Sequence, residues 1–196
     1  LSSLLELYQA GKYTDAKKLS VPITEEFPKH QFAWKVLAAA LKQMGKISES
    51  LIASQKSVEL GPLDAEAHSN LGVLLKELRR LDESEASFRQ AITLKPDYAE
   101  AHYNLGVLLK ELRRLDEAET SYGQAITLKP DYAEAHSNLG NTLKQQGRLE
   151  EAEASYGQAI TLKPDYAEAH SNLGNTLKQQ GRLNEAETSY RKALEL

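Results

Sequence analysis

The sequence predicts an all-α fold that is built from repeated pairs of antiparallel helices. The clearest observation is a constant period, because the string PDYAEAH begins at Pro96, Pro130 and Pro164. Within each period, apolar residues recur at intervals of three and four, which is the spacing of one helix face. A proline near the end of each period separates one pair of helices from the next.

The period divides the chain of 196 residues into consecutive repeats. The string NLG begins at Asn70, Asn104, Asn138 and Asn172, again with the same interval. Weaker matches continue the same period toward the N-terminus. We therefore expect a single continuous array over residues 1–196. Its repeats are a partial one at 1–30, complete ones at 31–64, 65–98, 99–132 and 133–166, and a truncated one at 167–196.

The repeat at 99–132 illustrates why two helices are expected in each period. Leu105 and Leu109 belong to the buried face of a first helix, and Tyr122 and Ala125 belong to that of a second. Carboxylates with the spacing of a capping box precede both helices, so we expect them to cap the first turns. These capping pairs are Asp97 with Glu100 and Asp116 with Glu119.

This pattern resembles the tetratricopeptide repeat, which has Leu-Gly, a small alanine, an aromatic residue and a proline at fixed places in a unit of about 34 residues. The resemblance covers the whole chain and includes the repeats of bacterial proteins and of the O-linked N-acetylglucosamine transferase arm. It implies a right-handed superhelical solenoid. The chain departs from the family where histidines replace an aromatic residue that Trp34 keeps: His68, His102, His136 and His170.

Several residues break the repeat in ways that affect stability. Arg79 and Arg113 replace the glycine that ends a first helix elsewhere, so we expect a left-handed conformation that costs about 1 kcal/mol. Gly123 and Gly157 lie within second helices at a similar cost of about 1 kcal/mol each. Pro22 is expected to kink the second helix of the first repeat.

The composition excludes several classes of protein. A net charge of −4 argues against nucleic-acid binding, and the absence of an apolar run of membrane length argues against a membrane span. The chain contains no cysteine and no signal segment, so we expect a cytoplasmic protein without disulfides. Because it begins with leucine, we expect it to be a fragment.

No constellation of residues indicates catalysis or a cofactor. Histidines in successive repeats lie too far apart to share a metal ion, because stacked helices are about 8–10 Å apart. Most carboxylates stand at helix starts, where they suit the helix dipole. We therefore expect no enzyme activity, no cofactor and no metal site.

Each first helix leaves one polar stripe that packing does not require. The resemblance implies that first helices line a concave groove, and asparagine amides there match the donor and acceptor of a peptide group. An asparagine ladder about 10 Å apart would span about nine extended residues. The candidate peptide-binding residues are Asn70, Asn104, Asn138, Asn172, Asn141, Asn175, Lys76, Lys110, Lys144, Lys178 and Tyr103.

The sequence thus favours a protein-interaction scaffold that binds an extended peptide or partner segment. One alternative is an accessory arm of a larger enzyme such as a glycosyltransferase. Another is a structural module that associates end to end with further copies through its terminal helices. A carboxylate clamp for acidic C-termini is rejected, because Glu66, Glu100, Glu134 and Glu168 occupy the columns of its basic residues.

Overall fold

The computed structural model describes residues 2–196, and every regular element in that range is an α-helix. None of these helices is both long and apolar enough to cross a membrane. The helices are α1 (Ser2–Gln9), α2 (Tyr13–Glu26), α3 (Gln31–Gln43), α4 (Ile47–Leu60), α5 (Ala65–Glu77), α6 (Leu81–Leu94), α7 (Ala99–Glu111), α8 (Leu115–Leu128), α9 (Ala133–Gln145), α10 (Leu149–Leu162), α11 (Ala167–Gln179) and α12 (Leu183–Glu195).

Consecutive helices pair into six hairpins within the described residues, from α1 and α2 in the first hairpin to α11 and α12 in the sixth. The first helices of the second to sixth hairpins begin at residues 31, 65, 99, 133 and 167, which are evenly spaced at the period of the sequence. Each hairpin turn has only three residues, as at 112–114, so the two helices are antiparallel neighbours. The all-α repeat fold is thus confirmed.

The hairpins belong to two compact units, which divide after Pro96. In the N-terminal unit α3 contacts α5, and in the C-terminal unit α7 contacts α9 and α9 contacts α11. No comparable contact joins successive second helices within either unit, as far as the chain is described. Within each unit, therefore, the first helices lie on the inner side of the stack, which we call the inner face.

A glycine and an aromatic ring hold the two helices of most hairpins together. Gly106 lies against Tyr122, where an added Cβ would be 2.8 Å from the ring, and Gly140 lies equally close to Tyr156. Both rings are fully buried. Glycine is required at these positions because any side chain would collide with the ring below it. We call these two positions the glycine column and the ring column.

Two arginines adopt the left-handed conformation that the sequence predicts. Arg79 and Arg113 each have φ of 62°, and Gly147 at the equivalent place has φ of 80°. The strain arises because a Cβ approaches the following carbonyl in this conformation. Helix α2 continues through Pro22 without interruption. The expected kink at this residue remains a prediction.

The predicted capping boxes are wrong. α7 begins at Ala99 with Tyr98 as its N-cap, and no side chain caps it, because Asp97 lies one residue too early. α8 has Arg114 as its N-cap and likewise lacks a capping side chain. The Arg114 guanidinium instead donates two hydrogen bonds of 2.6 Å to the Glu117 carboxylate in the first turn.

The histidine column ties each first helix to the turn before it. The His136 ring is 3.1 Å from the carbonyl oxygen of Pro130, and the His170 ring is 3.0 Å from that of Pro164. The Trp34 indole N–H donates to the carbonyl of Pro28 at 2.9 Å in the same way. The histidines therefore replace tryptophan as hydrogen-bonding partners of a turn. In the described chain, no three metal-ligating side chains converge.

Candidate functional site

The predicted binding residues of the C-terminal unit lie on the inner face of α7, α9 and α11. Tyr103, Asn104 and Lys110 are half-buried on α7, whereas Leu105 and Leu109 point into the core. The same alternation recurs on α9 and α11, because the sequence repeats. The polar residues on these helices are Asn138, Asn141 and Lys144 on α9, and Asn172, Asn175 and Lys178 on α11.

Asn138 joins two hairpins through its side chain. Its amide nitrogen donates to the Tyr103 hydroxyl at 3.0 Å, and its amide oxygen accepts from the Lys110 ammonium at 2.7 Å. Tyr103 occurs in one repeat only, since the matching positions are Ser69, Ser137 and Ser171. The network is therefore specific to the junction between α7 and α9.

Asn141 and Asn175 hold their own hairpins together. Asn141 Oδ1 accepts from the Tyr156 hydroxyl at 2.8 Å, and Asn175 Oδ1 accepts from the Tyr190 hydroxyl at 2.9 Å. These bonds occupy one acceptor site of each amide and leave the –NH₂ group directed elsewhere. The two residues thus have a structural role beside any role in binding.

Asn104 and Asn172 differ from Asn138, Asn141 and Asn175. Both are half-buried on the inner face, yet neither side chain hydrogen-bonds to any residue of the described structure. An asparagine amide can donate two hydrogen bonds and accept two. These amides therefore keep their full hydrogen-bonding capacity for solvent or for a ligand.

One lysine recurs at the same position of each repeat, and its partners differ along the chain. These lysines form the lysine column: Lys42, Lys76, Lys110, Lys144 and Lys178. In the N-terminal unit, the Lys42 ammonium lies 3.3 Å from the Glu77 carboxylate. The residue that matches Glu77 for Lys144 is Gln179, so no carboxylate of the described residues lies within 4.0 Å of Lys144. Burial lowers the pKa of Lys144, because its charge is partly desolvated without a counter-ion. Lys178 is exposed and also has no carboxylate partner within the described chain.

The opposite edge of the inner face is acidic and already paired. The Glu100 carboxylate lies 3.8 Å from the Lys129 ammonium, and that of Glu134 lies 3.5 Å from Lys163. Lys129 also lies over the Tyr132 ring at 4.7 Å. The C-terminal unit thus has a neutralised edge at the start of its first helices. At the ends of α9 and α11, its lysines have no carboxylate partner among the described residues.

Tyr103 anchors an aromatic cluster at the acidic edge. Its ring centroid is 4.8 Å from that of Tyr132 and 5.9 Å from that of Tyr122. Burial raises the pKa of Tyr103, and nearby carboxylates such as that of Glu134 raise it further. The Tyr103 hydroxyl therefore stays protonated at neutral pH and can donate a hydrogen bond while it accepts one from Asn138.

The inner face of the N-terminal unit carries the two remaining predicted residues. Asn70 is exposed on α5, and Lys76 is half-buried in the last turn of the same helix. Lys35 on α3 was not among the predicted residues, and it pairs with Asp64 at 3.1 Å and with Glu66. Lys35 could not be recognised from the repeat pattern, because no other repeat has lysine at this position.

The same face contains a cavity of about 380 Å³. α3 and α4 form its floor, with Ala38, Ser54 and Ser57, and Asn70 and Leu74 of α5 form one wall. The cavity was not predicted, although one small residue in the sequence indicates it. Ser54 occupies the column that holds Phe88, Tyr122, Tyr156 and Tyr190 in the later repeats.

Comparison with known families finds matches over more than half of the chain. A sequence profile described as TPR repeat matches residues 77–113, 111–147 and 140–181. A second profile, described as Tetratricopeptide repeat, matches residues 167–196. No curated protein sequence matches the chain.

Solved structures of low sequence identity share the fold. PilW, titled a widely conserved type IV pilus biogenesis factor, aligns with a TM-score of 0.87 at 21% identity over 96% of this chain and 87% of its own. YrrB, titled a TPR protein with an unusual peptide-binding site, aligns at 0.74 and 22% over 92% and 93%. MamA from Desulfovibrio magneticus RS-1 aligns at 0.77 and 20% over 85% and 94%.

Proposed function

We propose that this chain, which belongs to the tetratricopeptide repeat family, binds an extended peptide segment on the inner face of its C-terminal unit. The family is one of protein-interaction scaffolds. YrrB, which shares the fold, is titled as having an unusual peptide-binding site. One observation carries the proposal: the amides of Asn104 and Asn172 are half-buried without a hydrogen-bonding partner in the described chain.

A peptide backbone is the ligand that suits these amides. Each peptide group has one N–H donor and one C=O acceptor, and an asparagine amide can pair with both at once. Because this pairing ignores side chains, it favours an extended segment over a folded surface. Asn138 lies between the two amides and keeps the intervening helix in place through Tyr103 and Lys110.

The charges on the inner face indicate how such a segment is oriented. Glu100 and Glu134 are neutralised by lysines, whereas Lys144 is half-buried without a carboxylate in the described chain. A partner carboxylate beside Lys144 would restore a charge pair that Lys42 and Glu77 form within the N-terminal unit. We therefore expect the ligand to have an acidic side chain that lies beside Lys144.

A peptide-display screen followed by calorimetry tests this function. We expect the screen to enrich extended sequences with an aspartate or glutamate. Replacement of Asn104, Asn138 and Asn172 by alanine should weaken the selected peptides at least about tenfold, because each lost hydrogen bond costs about 1 kcal/mol. Thermal unfolding followed by circular dichroism should show that the triple variant remains folded.

The second helices offer a matched control. Gln90, Gln124 and Gln158 are exposed amides that recur with the same period on α6, α8 and α10. Their replacement by alanine removes three amides from the outer helices and should leave peptide affinity unchanged. An equal loss of peptide affinity in both triple variants, or no loss in either, would rule out recognition by Asn104, Asn138 and Asn172.

A further inference from the structure

The second hairpin lacks the aromatic ring that the third to sixth hairpins have between their helices. Phe88, Tyr122 and Tyr156 are fully buried in the ring column and lie against the first helix of their own hairpin. The equivalent residue of the second hairpin is Ser54, whose side chain ends at a hydroxyl. This hairpin therefore lacks the volume of an entire aromatic side chain.

The first hairpin lacks the ring as well but replaces its volume. Ser20 occupies the ring column there, and Leu4 stands in the glycine column on the facing helix. Leu4 is fully buried in a cluster with Ala16 and Ala33, so the large residue has moved to the other helix. The second hairpin has no such exchange, because Ala38 stands in its glycine column.

The helices of the second hairpin have not closed over the missing volume. The Ser50 hydroxyl donates to the carbonyl oxygen of Ala38 at 2.7 Å. The same bond joins Ser84 to Gly72 at 2.7 Å in the third hairpin, where Phe88 is present. At this contact the two helices thus lie as close together as in a filled hairpin, and a cavity of about 380 Å³ is lined by Ala38 and Ser54, where a ring is missing.

One residue of the lining, Ser57, has a buried polar atom. Ser57 is 2% exposed, and its hydroxyl has no hydrogen-bonding partner in the described structure. Its column contains alanine in the later repeats, at Ala91, Ala125 and Ala159, so packing does not require a hydroxyl there. A buried hydroxyl without a partner costs about 1–3 kcal/mol, which a polar atom of a ligand could recover.

The charges around the cavity favour a neutral occupant. Lys35 is paired with Asp64 and Glu66, and Lys42 is paired with Glu77. The lysines on the rim therefore have carboxylate partners already. The remaining side chains of the lining carry no charge, and they include apolar ones such as Val36 and Leu74 and polar ones such as Asn70.

We propose that this cavity binds a tyrosine side chain of the partner, inserted where Phe88 and Tyr122 supply a ring in other hairpins. The inference rests on the proposed function in that it takes the ligand to be an extended peptide, which can present a tyrosine side chain to the cavity of the N-terminal unit. The ring fills the vacant volume and contacts Ala38 and Leu74. Its hydroxyl forms a hydrogen bond with Ser57, which is the group that no residue of the described chain satisfies.

The test uses p-cresol, the side-chain analogue of tyrosine, with the intact chain. Two-dimensional NMR should show saturable binding, with a dissociation constant on the order of 1 mM and shift changes at Ser54, Ser57 and Leu74. Toluene lacks the hydroxyl and should bind about tenfold more weakly. In the Ser57→Ala variant, p-cresol and toluene should bind equally.

A variant that supplies the missing ring should block the cavity. Ala38→Gly with Ser54→Phe reproduces the pair Gly72 and Phe88, so the protein should fold and p-cresol binding should fall at least tenfold. If this variant does not fold, the chemical-shift changes that p-cresol causes in the parent chain still test the inference. Shift changes confined to other surfaces, or none at all, would overturn the inference.

The experiment separates this inference from the proposed function. The variant with alanine at Asn104, Asn138 and Asn172 has an unaltered cavity, so p-cresol should bind it as it binds the parent chain. In the parent chain, p-cresol binding without selection of any peptide would refute peptide binding by the asparagines alone. Peptide binding without p-cresol binding would refute the tyrosine cavity alone.

Discussion

The hydroxyl of Tyr156 donates a hydrogen bond of 2.8 Å to Oδ1 of Asn141 and so joins the two helices of the fifth hairpin. Tyr190 and Asn175 repeat this bond in the sixth hairpin. The third hairpin has an apolar counterpart, with Phe88 in the ring column and Val73 in the asparagine position. In both combinations the two facing side chains agree in polarity, since a hydroxyl meets an amide in one and two apolar side chains meet in the other.

The fourth hairpin is mismatched, and this leads to the first prediction. Tyr122 is fully buried opposite Val107, and its hydroxyl has no partner in the described structure. Tyr122→Phe should raise the free energy of unfolding by about 1 kcal/mol, because it removes a buried unsatisfied hydroxyl. Tyr156→Phe should lower the same quantity by about 1 kcal/mol, because it breaks a formed bond. Urea denaturation measures both, and equal losses would contradict the mismatch.

The left-handed arginines give a second prediction. Arg113→Gly should raise the free energy of unfolding by about 1 kcal/mol, because glycine adopts φ of 62° without steric cost. Gly147→Arg at the equivalent turn should lower it by a similar amount. Arg114→Gly is the matched control, since Arg114 has φ of −88° and should gain nothing. A gain at Arg114 equal to that at Arg113 would show that backbone strain is not the cause.

Two helical glycines give a third prediction. A Cβ added at Gly123 or Gly157 would meet no atom within 4 Å. Gly123→Ala and Gly157→Ala should therefore each raise the free energy of unfolding by about 1 kcal/mol through helix propensity. Gly140→Ala should lower it, since the added Cβ would lie 2.8 Å from the Tyr156 ring. Thermal unfolding of the three variants compares them directly, and a stable Gly140→Ala protein would disprove the close approach.

Burial of tyrosine predicts a loss of stability in alkali. Burial raises the pKa of Tyr122 and Tyr156 in the folded state above the unfolded value of about 10. The free energy of unfolding is therefore independent of these two groups' ionisation below that value and falls as the pH rises above it, because the unfolded chain then releases protons that the folded chain keeps. Each buried tyrosine should cost about 1.4 kcal/mol per pH unit in that range.

Urea midpoints measured on both sides of pH 10 test this dependence, with tyrosinate absorbance as an independent measure of ionisation. Tyr156→Phe should remove the contribution of one group from the slope. An unchanged slope in that variant would mean that Tyr156 ionises in the folded protein.

The helical repeat could be read from the sequence because its signal is local and occurs several times. The start of each first helix and the left-handed conformation of Arg79 and Arg113 both follow from position within the period. The capping boxes were predicted wrongly because a cap depends on the position of one residue. Ala99 begins its helix with Tyr98 before it, and the carboxylate of Asp97 is left outside.

The candidate site was less predictable because its contacts join different columns. Asn138 bonds to Tyr103, which lies 35 residues earlier and has no equivalent in the other repeats. The cavity arises from Ala38 and Ser54 together, and each residue alone is an ordinary small substitution. Periodicity identifies the face on which a residue lies but not the pairs of residues that meet there.

The exchange between Leu4 and Ser20 has a wider consequence for arrays of this kind. Five of the six hairpins in the described chain have one large side chain at the crossing of their helices, and either helix can supply it. Two substitutions can thus transfer that bulk from one helix to the other, and a transfer that is half complete opens a pocket without altering the backbone. Each hairpin of such a scaffold is therefore a separate place where a ligand pocket can be installed or removed by changing a single pair of residues.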